Sequence, residues 1–204
     1  MVNKLSLDND SFVVELGGND GYLLSEFQKL GVSVLNVEPP ENTAEIARQA
    51  GVPTISKFFG VDLAKDILAE YGHPDLIVVN NVYAHVPDQQ DFTLGISILS
   101  DDSTITTIEN PSFEILLNNA YFDTIYHEHY SYLTTHSVNT VTQKCGLTLF
   151  HVDRLPTHGG SNRYWLSKSE IPDDTVNNVL NEERLSGLFD DDKWEEFATS
   201  SRNA

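Results

Sequence analysis

A chain of 204 residues that is 40% hydrophobic is long enough to bury one substantial core, or one core and a part. Its formal charge of −19 argues against a nucleic-acid partner and against an anionic membrane surface, because phosphates recruit Lys and Arg. The single cysteine, Cys145, excludes an intrachain disulfide and a cysteine-based zinc site, and a reducing cytoplasm is the default location. No apolar run of about 18 residues offers a membrane span. No basic patch followed by an apolar stretch opens the chain as a secretory leader. The acidity itself reads as a solvated surface.

The first apolar run, Phe12–Leu16 (FVVEL), reads as a buried strand. Gly21–Leu30 follows as a helix with Leu23, Leu24, Phe27 and Leu30 on one face. Ser33–Val37 (SVLNV) is a second strand, and Asn42–Ala50 a helix that gathers Ala44, Ile46, Ala47 and Ala50. Val52–Ile55 is a third strand. Asp62–Tyr71 is a helix with Asp62 as its expected N-cap. Asp75–Val79 (DLIVV) is a fourth strand, Asp88–Leu99 a helix capped by Asp88, and Thr104–Ile108 a fifth strand. This alternation predicts a doubly wound α/β fold with ligands outside the carboxyl ends of the strands. Pro111–Ser131 is less regular. A helix over Thr135–Cys145 and strands over Leu147–Val152 and Arg163–Ser167 come next. The tail after Ser169 is acidic, with helical stretches at Asp174–Leu185 and Asp191–Ala198 but few apolar positions to bury. It reads as a connector or a loosely attached arm. There are no internal repeats and no low-complexity tract.

The segment ELGGNDGYLL (15–24) sits at the end of the first strand. Its spacing, Glu15, Gly17, Asn19, Gly21, is that of a glycine loop with Asn at the middle position. Asn is the residue that best tolerates a left-handed backbone after glycine. Glu38, at the end of the second strand, is placed to accept the hydroxyls of a ribose. A pyrophosphate would need a helix N-terminus free of negative charge. Glu15 and Asp20 oppose that and suit a cofactor with a cationic centre and an amino group, such as S-adenosylmethionine. On the loop alone, a dinucleotide enzyme and a polar turn without a ligand remain alternatives.

Three polar clusters follow. NNVYAH (80–85) puts Asn80, Asn81 and His85 just beyond the fourth strand, on the ligand side. FDTIYHEHYSYL (122–133) sets Tyr126, His127, Glu128 and His129 in a row among aromatic residues. Two histidines and a carboxylate are metal-ligand types, yet neither an extended nor a helical backbone turns neighbours of this spacing to one side, so no metal is expected. General acid–base chemistry suits a histidine oriented by a nearby carboxylate. LPTHGGSNRYWL (155–166), with His158, Gly159, Gly160, Ser161 and Arg163, reads either as the lining of a polar pocket or as a hairpin turn.

Taken together, NDGYLL (19–24), VEPP (37–40), GVPTISKFFG (51–60), DLIVVNNVYAHVPD (75–88), FDTIYHEHYSYL and LPTHGGSNRYW (155–165) resemble a known family. It is that of the S-adenosylmethionine-dependent C-methyltransferases acting on nucleotide-linked keto sugars in deoxysugar biosynthesis. Order and spacing agree over about residues 12–168. The resemblance implies a Rossmann-like methyltransferase core over residues 1–110 that binds S-adenosyl-L-methionine. It implies an active-site segment with the remaining strands over 111–168, and a tail over 169–204 leading to a second domain.

The same resemblance places Gly17, Asn19 and Gly21 near the methionine part of the cofactor, with Glu15, Tyr22 and Leu23 beside them. Glu38 and Pro39 would lie at the ribose, Phe58 and Phe59 at the adenine, and Asn80 and Asn81 would close the cofactor pocket. His129 becomes the base, assisted by Tyr126, Glu128 and His85. Tyr83, His158, Gly159, Gly160, Ser161 and Arg163 would face the sugar. The implied reaction removes a proton beside a ketone and stabilises the enolate. Family members are about twice this length, with a cysteine-rich zinc domain before this region and an α/β domain after it. A separate chain is one expected source of those parts. Asn110 and Ser112 depart from the family, which carries an apolar residue and a His at those places. A non-catalytic cofactor-binding relic, and an O- or N-methyltransferase of another small molecule, are the alternatives.

Overall fold

The computed structural model describes residues 2–203. Its strands are β1 (Phe12–Leu16), β2 (Ser33–Val37), β3 (Thr54–Ile55), β4 (Leu76–Asn80), β5 (Ile105–Pro111), β6 (Thr148–Leu155) and β7 (Ser161–Ser167). Its helices are α1 (Val2–Leu5), α2 (Tyr22–Gln28), α3 (Glu41–Gln49), α4 (Val61–Tyr71), α5 (Gln89–Leu99), α6 (Phe113–Asn119), α7 (Thr135–Lys144), α8 (Asp174–Leu185) and α9 (Asp191–Asn203). The strands form one sheet in the order β3-β2-β1-β4-β5-β7-β6. The first five are parallel, and β7 runs antiparallel to both its neighbours.

Val13 and Val14 show why the strands read as unbroken apolar runs. Successive side chains on a strand point to opposite faces. Val13 packs with Leu24, Phe27 and Ala47 from α2 and α3. Val14 packs with Leu63, Ala64, Phe92 and Ile96 from α4 and α5. Helices therefore cover both faces, as a parallel sheet requires. The direction of winding reverses between β1 and β4, which opens a crevice at their carboxyl ends.

Local details differ from the sequence expectations for physical reasons. β3 begins at Thr54 instead of Val52: Val52 is buried against α2 and α3, and Pro53 has no N–H to enter a ladder. Asp88 does cap α5, accepting from Asp91 N–H at 3.0 Å. Asp62 does not cap α4. That helix starts from Gly60, packed against Gly95 and the Asp91 carboxylate, and Asp62 lies in its first turn. α6 falls in the segment that looked irregular. It has no side-chain cap, and it ends on Ala120 with φ 55.

The tail is packed rather than loose. Val176 and Val179 of α8 join the main core, and Leu188 and Phe197 pack with Leu116 and Leu117 of α6. Two valines contribute about 1.5–3 kcal/mol each. The stronger anchor is a charge. Glu183, with 0% exposure, accepts from the N–H groups of Thr135 and His136 at the start of α7. Those donors have no partner within their own helix, and the helix dipole favours an anion there. Glu183→Ala should lower the unfolding free energy by about 2 kcal/mol in urea melts. Glu182→Ala, which removes a half-exposed contact to Arg154, should cost about 1 kcal/mol or less.

Candidate active site

The end of β2 builds the loop that follows β1. Gly17 N–H donates to the Val37 carbonyl at 2.7 Å, and Gly18 N–H to Asn36 Oδ1 at 3.1 Å. Asn19 N–H donates to Glu38 Oε2 at 2.8 Å, while Asn36 Nδ2 returns a bond to the Asn19 carbonyl at 3.2 Å. Gly17 has φ 72 and lies so close to Val82 that a side chain would collide with it. Asn19, at φ 53, occupies the left-handed region that its residue type suggested. Gly21, at φ 79, precedes the first turn of α2.

Gly17 of this loop lines a cleft of about 330 Å³, together with Leu16, Pro39, Phe58, Phe59, Val82, His85 and Phe92. That volume is in the range of small-molecule sites. Phe58 is 86% exposed, whereas Phe59 packs edge-on against Phe92.

Three buried acceptors stand at the carboxyl ends of β1 and β4: Glu15 Oε2, Asn80 Oδ1 and Asn81 Oδ1. None of them meets a hydrogen-bond donor among the described residues. The Glu15 carboxyl is pushed up to about 7, first by burial and then by the neighbouring charges of Glu38 and Asp20. A set of acceptors beside an ionisable carboxyl fits a cationic donor group, and would repel a pyrophosphate. Glu38 is buried with Oε2 committed to the loop, so Oε1 is the oxygen left for a ribose.

A second cleft of about 250 Å³ adjoins the first. It is lined by Asn81, Ala84, His85, Pro111, Thr124, Tyr126, His129 and His158. His85 lines both clefts. The YHEH segment reaches this place because Tyr130 N–H and Ser131 N–H both donate to the Ala84 carbonyl, at 2.9 and 3.2 Å. Tyr126 Oη meets His129 Nε2 at 3.0 Å, and the rings of His129 and His85 are 4.8 Å apart. Burial, then the adjacent His85, lowers the His129 pKa and keeps the ring neutral at pH 7. His85 Nδ1 lies 2.9 Å from the Glu128 carbonyl oxygen. A carbonyl only accepts, so Nδ1 carries the proton and Nε2 is the free acceptor of the neutral ring.

Several expected residues are not brought to either cleft. Glu128 contributes its backbone carbonyl to His85, and its exposed carboxylate lines neither cleft. Tyr83 is fully buried in the core. Its hydroxyl is 2.7 Å from Thr93 Oγ1, and burial pushes its pKa up to about 12. Ser161 is fully buried and donates to the Thr157 carbonyl, while Arg163 is paired with Glu109. Gly159 and Gly160 lie in a turn against Tyr121 and Ile115. Tyr22 is exposed at the start of α2, and Leu23 packs towards the core. Asn110 and Ser112 are buried around a small chamber of about 20 Å³ that the His129 ring also lines. Val82, Thr124 and Phe92 enter through tertiary packing and carry no mark in the sequence. Asp88 and Asp91 also line the first cleft, though Asp88 read only as a helix cap.

Residues 2–152 match a family described as the methyltransferase domain. The chain belongs to that family. The chain carries the methyltransferase domain of that family, on the Rossmann-like sheet of class I enzymes, with S-adenosyl-L-methionine as the cofactor. Over 200 residues it is 32% identical to the C-methyltransferase NovU of Streptomyces niveus. That alignment covers 97% of this chain and 48% of the relative, so the chain spans about half the length of the curated relative it matches.

Among solved structures, the fold is similar to an S-adenosylmethionine-dependent methyltransferase of Thermotoga maritima. The TM-score is 0.60 and the identity 16%, over 78% of this chain and 82% of the other. It is also similar to the magnesium protoporphyrin IX methyltransferase of Synechocystis with bound SAH, with TM-score 0.60 and 14% identity over 78% and 74%. Among the described residues no helix is long and apolar enough to cross a membrane, and no group of three or more His, Cys, Asp or Glu is arranged to hold a metal.

The three unpartnered acceptors suit the methyltransferase cofactor, which carries an ammonium and a sulfonium. The raised Glu15 pKa gives binding a pH dependence. The folded value lies above the ordinary 4.5, so the fold disfavours the ionised form. In the ligand-free protein this penalty is absent below about 4.5 and complete above about 7. Cofactor affinity should therefore rise as the pH climbs through 7, with proton release visible by calorimetry in two buffers of different ionisation enthalpy. Glu15→Gln should flatten that profile, weaken binding and raise the Tm of the ligand-free protein at pH 8.

Proposed function

We propose that this methyltransferase core serves C-methylation of a nucleotide-linked 4-keto-deoxysugar through an enolate. The observation that carries the reading is His129. It is a neutral imidazole hydrogen-bonded to Tyr126, in a polar cleft that shares a wall, His85, with the cofactor cleft. The likeness to a C-methyltransferase supports carbon as the methyl acceptor.

S-adenosylmethionine supplies an electrophilic methyl group on sulfur; the residues of this chain must supply a carbon nucleophile. Carbon beside a ketone becomes one only when a proton leaves. His129, uncharged at neutral pH, takes that proton through its imidazole nitrogen. With His129 Nε2–H donating to the Tyr126 oxygen, Nδ1 is the base and the Tyr126 hydroxyl keeps its proton for the oxygen on which the enolate charge develops. His158 lines the same cleft and supplies a second polar group for the sugar. Holding both reactants in adjoining clefts replaces an encounter by a positioned step.

No Lys or Arg among the described residues lines either cleft. The diphosphate of a nucleotide-sugar would then be neutralised outside them. This fits cations contributed by a further segment or a separate chain. The free, buried Cys145 is compatible with a cytoplasmic setting.

His129→Ala should abolish methyl transfer while cofactor affinity, measured by calorimetry, stays unchanged. It should also stop solvent deuterium from entering the carbon beside the ketone when S-adenosylhomocysteine replaces the methyl donor. Deuterium exchange that persists in the variant would remove His129 as the base. A methylated product with its new bond to oxygen or nitrogen would remove C-methylation.

A further inference from the structure

The proposed chemistry leaves one buried ion pair unused. Glu109 of β5 is 6% exposed and stands opposite Arg163 in the antiparallel register with β7. Arg163 Nε and Nη2 both donate to Glu109 Oε2, at 3.0 and 2.6 Å. Glu109 Oε1 accepts from Thr157 Oγ1 at 3.2 Å. The Glu109 main-chain carbonyl accepts from Asn81 N–H at 2.8 Å. One residue thus touches two separate pieces of the polar cleft: Asn81 after β4, and the turn Thr157–Gly159 that carries His158.

Both pieces are conformationally unusual. Asn81 has φ 55 and His158 φ 51. Residues other than glycine hold the left-handed region only where their surroundings over-determine it. Arginine is always ionised, and its planar fork is matched to a carboxylate. An ionised carboxylate accepts at both oxygens and donates at neither, so the Thr157 hydroxyl must be the donor and its direction is fixed. A protonated acid or an amide would present a donor on one side and lose this.

We propose that Glu109, gripped by the Arg163 fork, is a positioning residue whose carboxylate, through Thr157, sets the turn carrying His158 at the wall of the polar cleft. It acts on the substrate side and not on cofactor binding; that the cleft takes the keto-sugar rests on the function proposed above.

Thr157→Val removes the donor that links the turn to Glu109, and Thr157→Ser restores it. The imidazole signals of His158 can be followed by NMR, with His158→Gln providing the assignment. Thr157→Val should shift those signals and leave the S-adenosylhomocysteine affinity unchanged. It should also raise KM for the sugar about tenfold with a smaller change in kcat. Thr157→Ser should return all three to the wild-type values. Arg163→Lys, which keeps the charge but loses the fork, should give an intermediate shift. Unmoved His158 signals in Thr157→Val would overturn the proposal, and so would a parallel loss of cofactor affinity. A wild-type protein that turns over no keto-sugar would overturn the substrate reading instead, and the ring signals would still decide the positioning role.

Discussion

The site depends on a tie between two neighbouring strands. Asn36 and Glu38, at the end of β2, take hold of the backbone of the loop after β1 through Gly18 and Asn19. Both carriers are buried, so the bonds form in a medium where an unpaired amide would be costly. The loop is therefore held by polar side chains of the sheet. The run of backbone turns that results leaves room for a ligand beside Gly17. It also buries Glu15 with Glu38 and Asp20 nearby, and burial first, then that crowding, raises the Glu15 pKa. Charge selection at this site is a consequence of how the loop is fastened.

The two clefts divide the chemical work. The first is mainly apolar; the second presents Asn81, His129, Tyr126 and His158. His85 belongs to both. Its proton is committed to the Glu128 carbonyl, so the segment 126–129 fixes the tautomer of a residue more than forty positions earlier. The pairing of Tyr130 and Ser131 with the Ala84 carbonyl does the same for distance. It makes the separation between His129 and the first cleft a property of backbone hydrogen bonds.

What could be read from the sequence follows from range. β1 and β2 were legible to the residue, because a parallel strand covered on both faces must be apolar throughout. α8 was legible in extent, but its attachment was not. Glu183 looks like any acidic surface residue until α7 is placed beside it. Gly17, Asn19 and Glu38 were legible because a left-handed backbone and a carboxylate at a strand end leave marks on residue type. Glu128 was misleading. It sits in the most polar run of the chain, yet its backbone carbonyl, which carries no sequence mark, makes the contact with His85. Tyr83 and Arg163 misled through range: their hydroxyl and guanidinium meet Thr93 and Glu109, partners 10 and 54 residues distant. α6 was missed because its seven residues carry no side-chain cap and follow a proline.

The reversal of β7 has a consequence for how such a site can diversify. Parallel strands send every crossover back through the far end of the sheet, so each loop at the ligand end is bound to the length of a helix. β7 instead meets β6 through a short turn, and Ser161 at its start pairs with Pro111 at the end of β5. The turn carrying His158 thereby joins the ligand end without a helix of its own. It can lengthen, shorten or change residue without disturbing the strands that bind the cofactor. One reversed strand gives the fold a turn at the ligand end that is separate from the loop after β1.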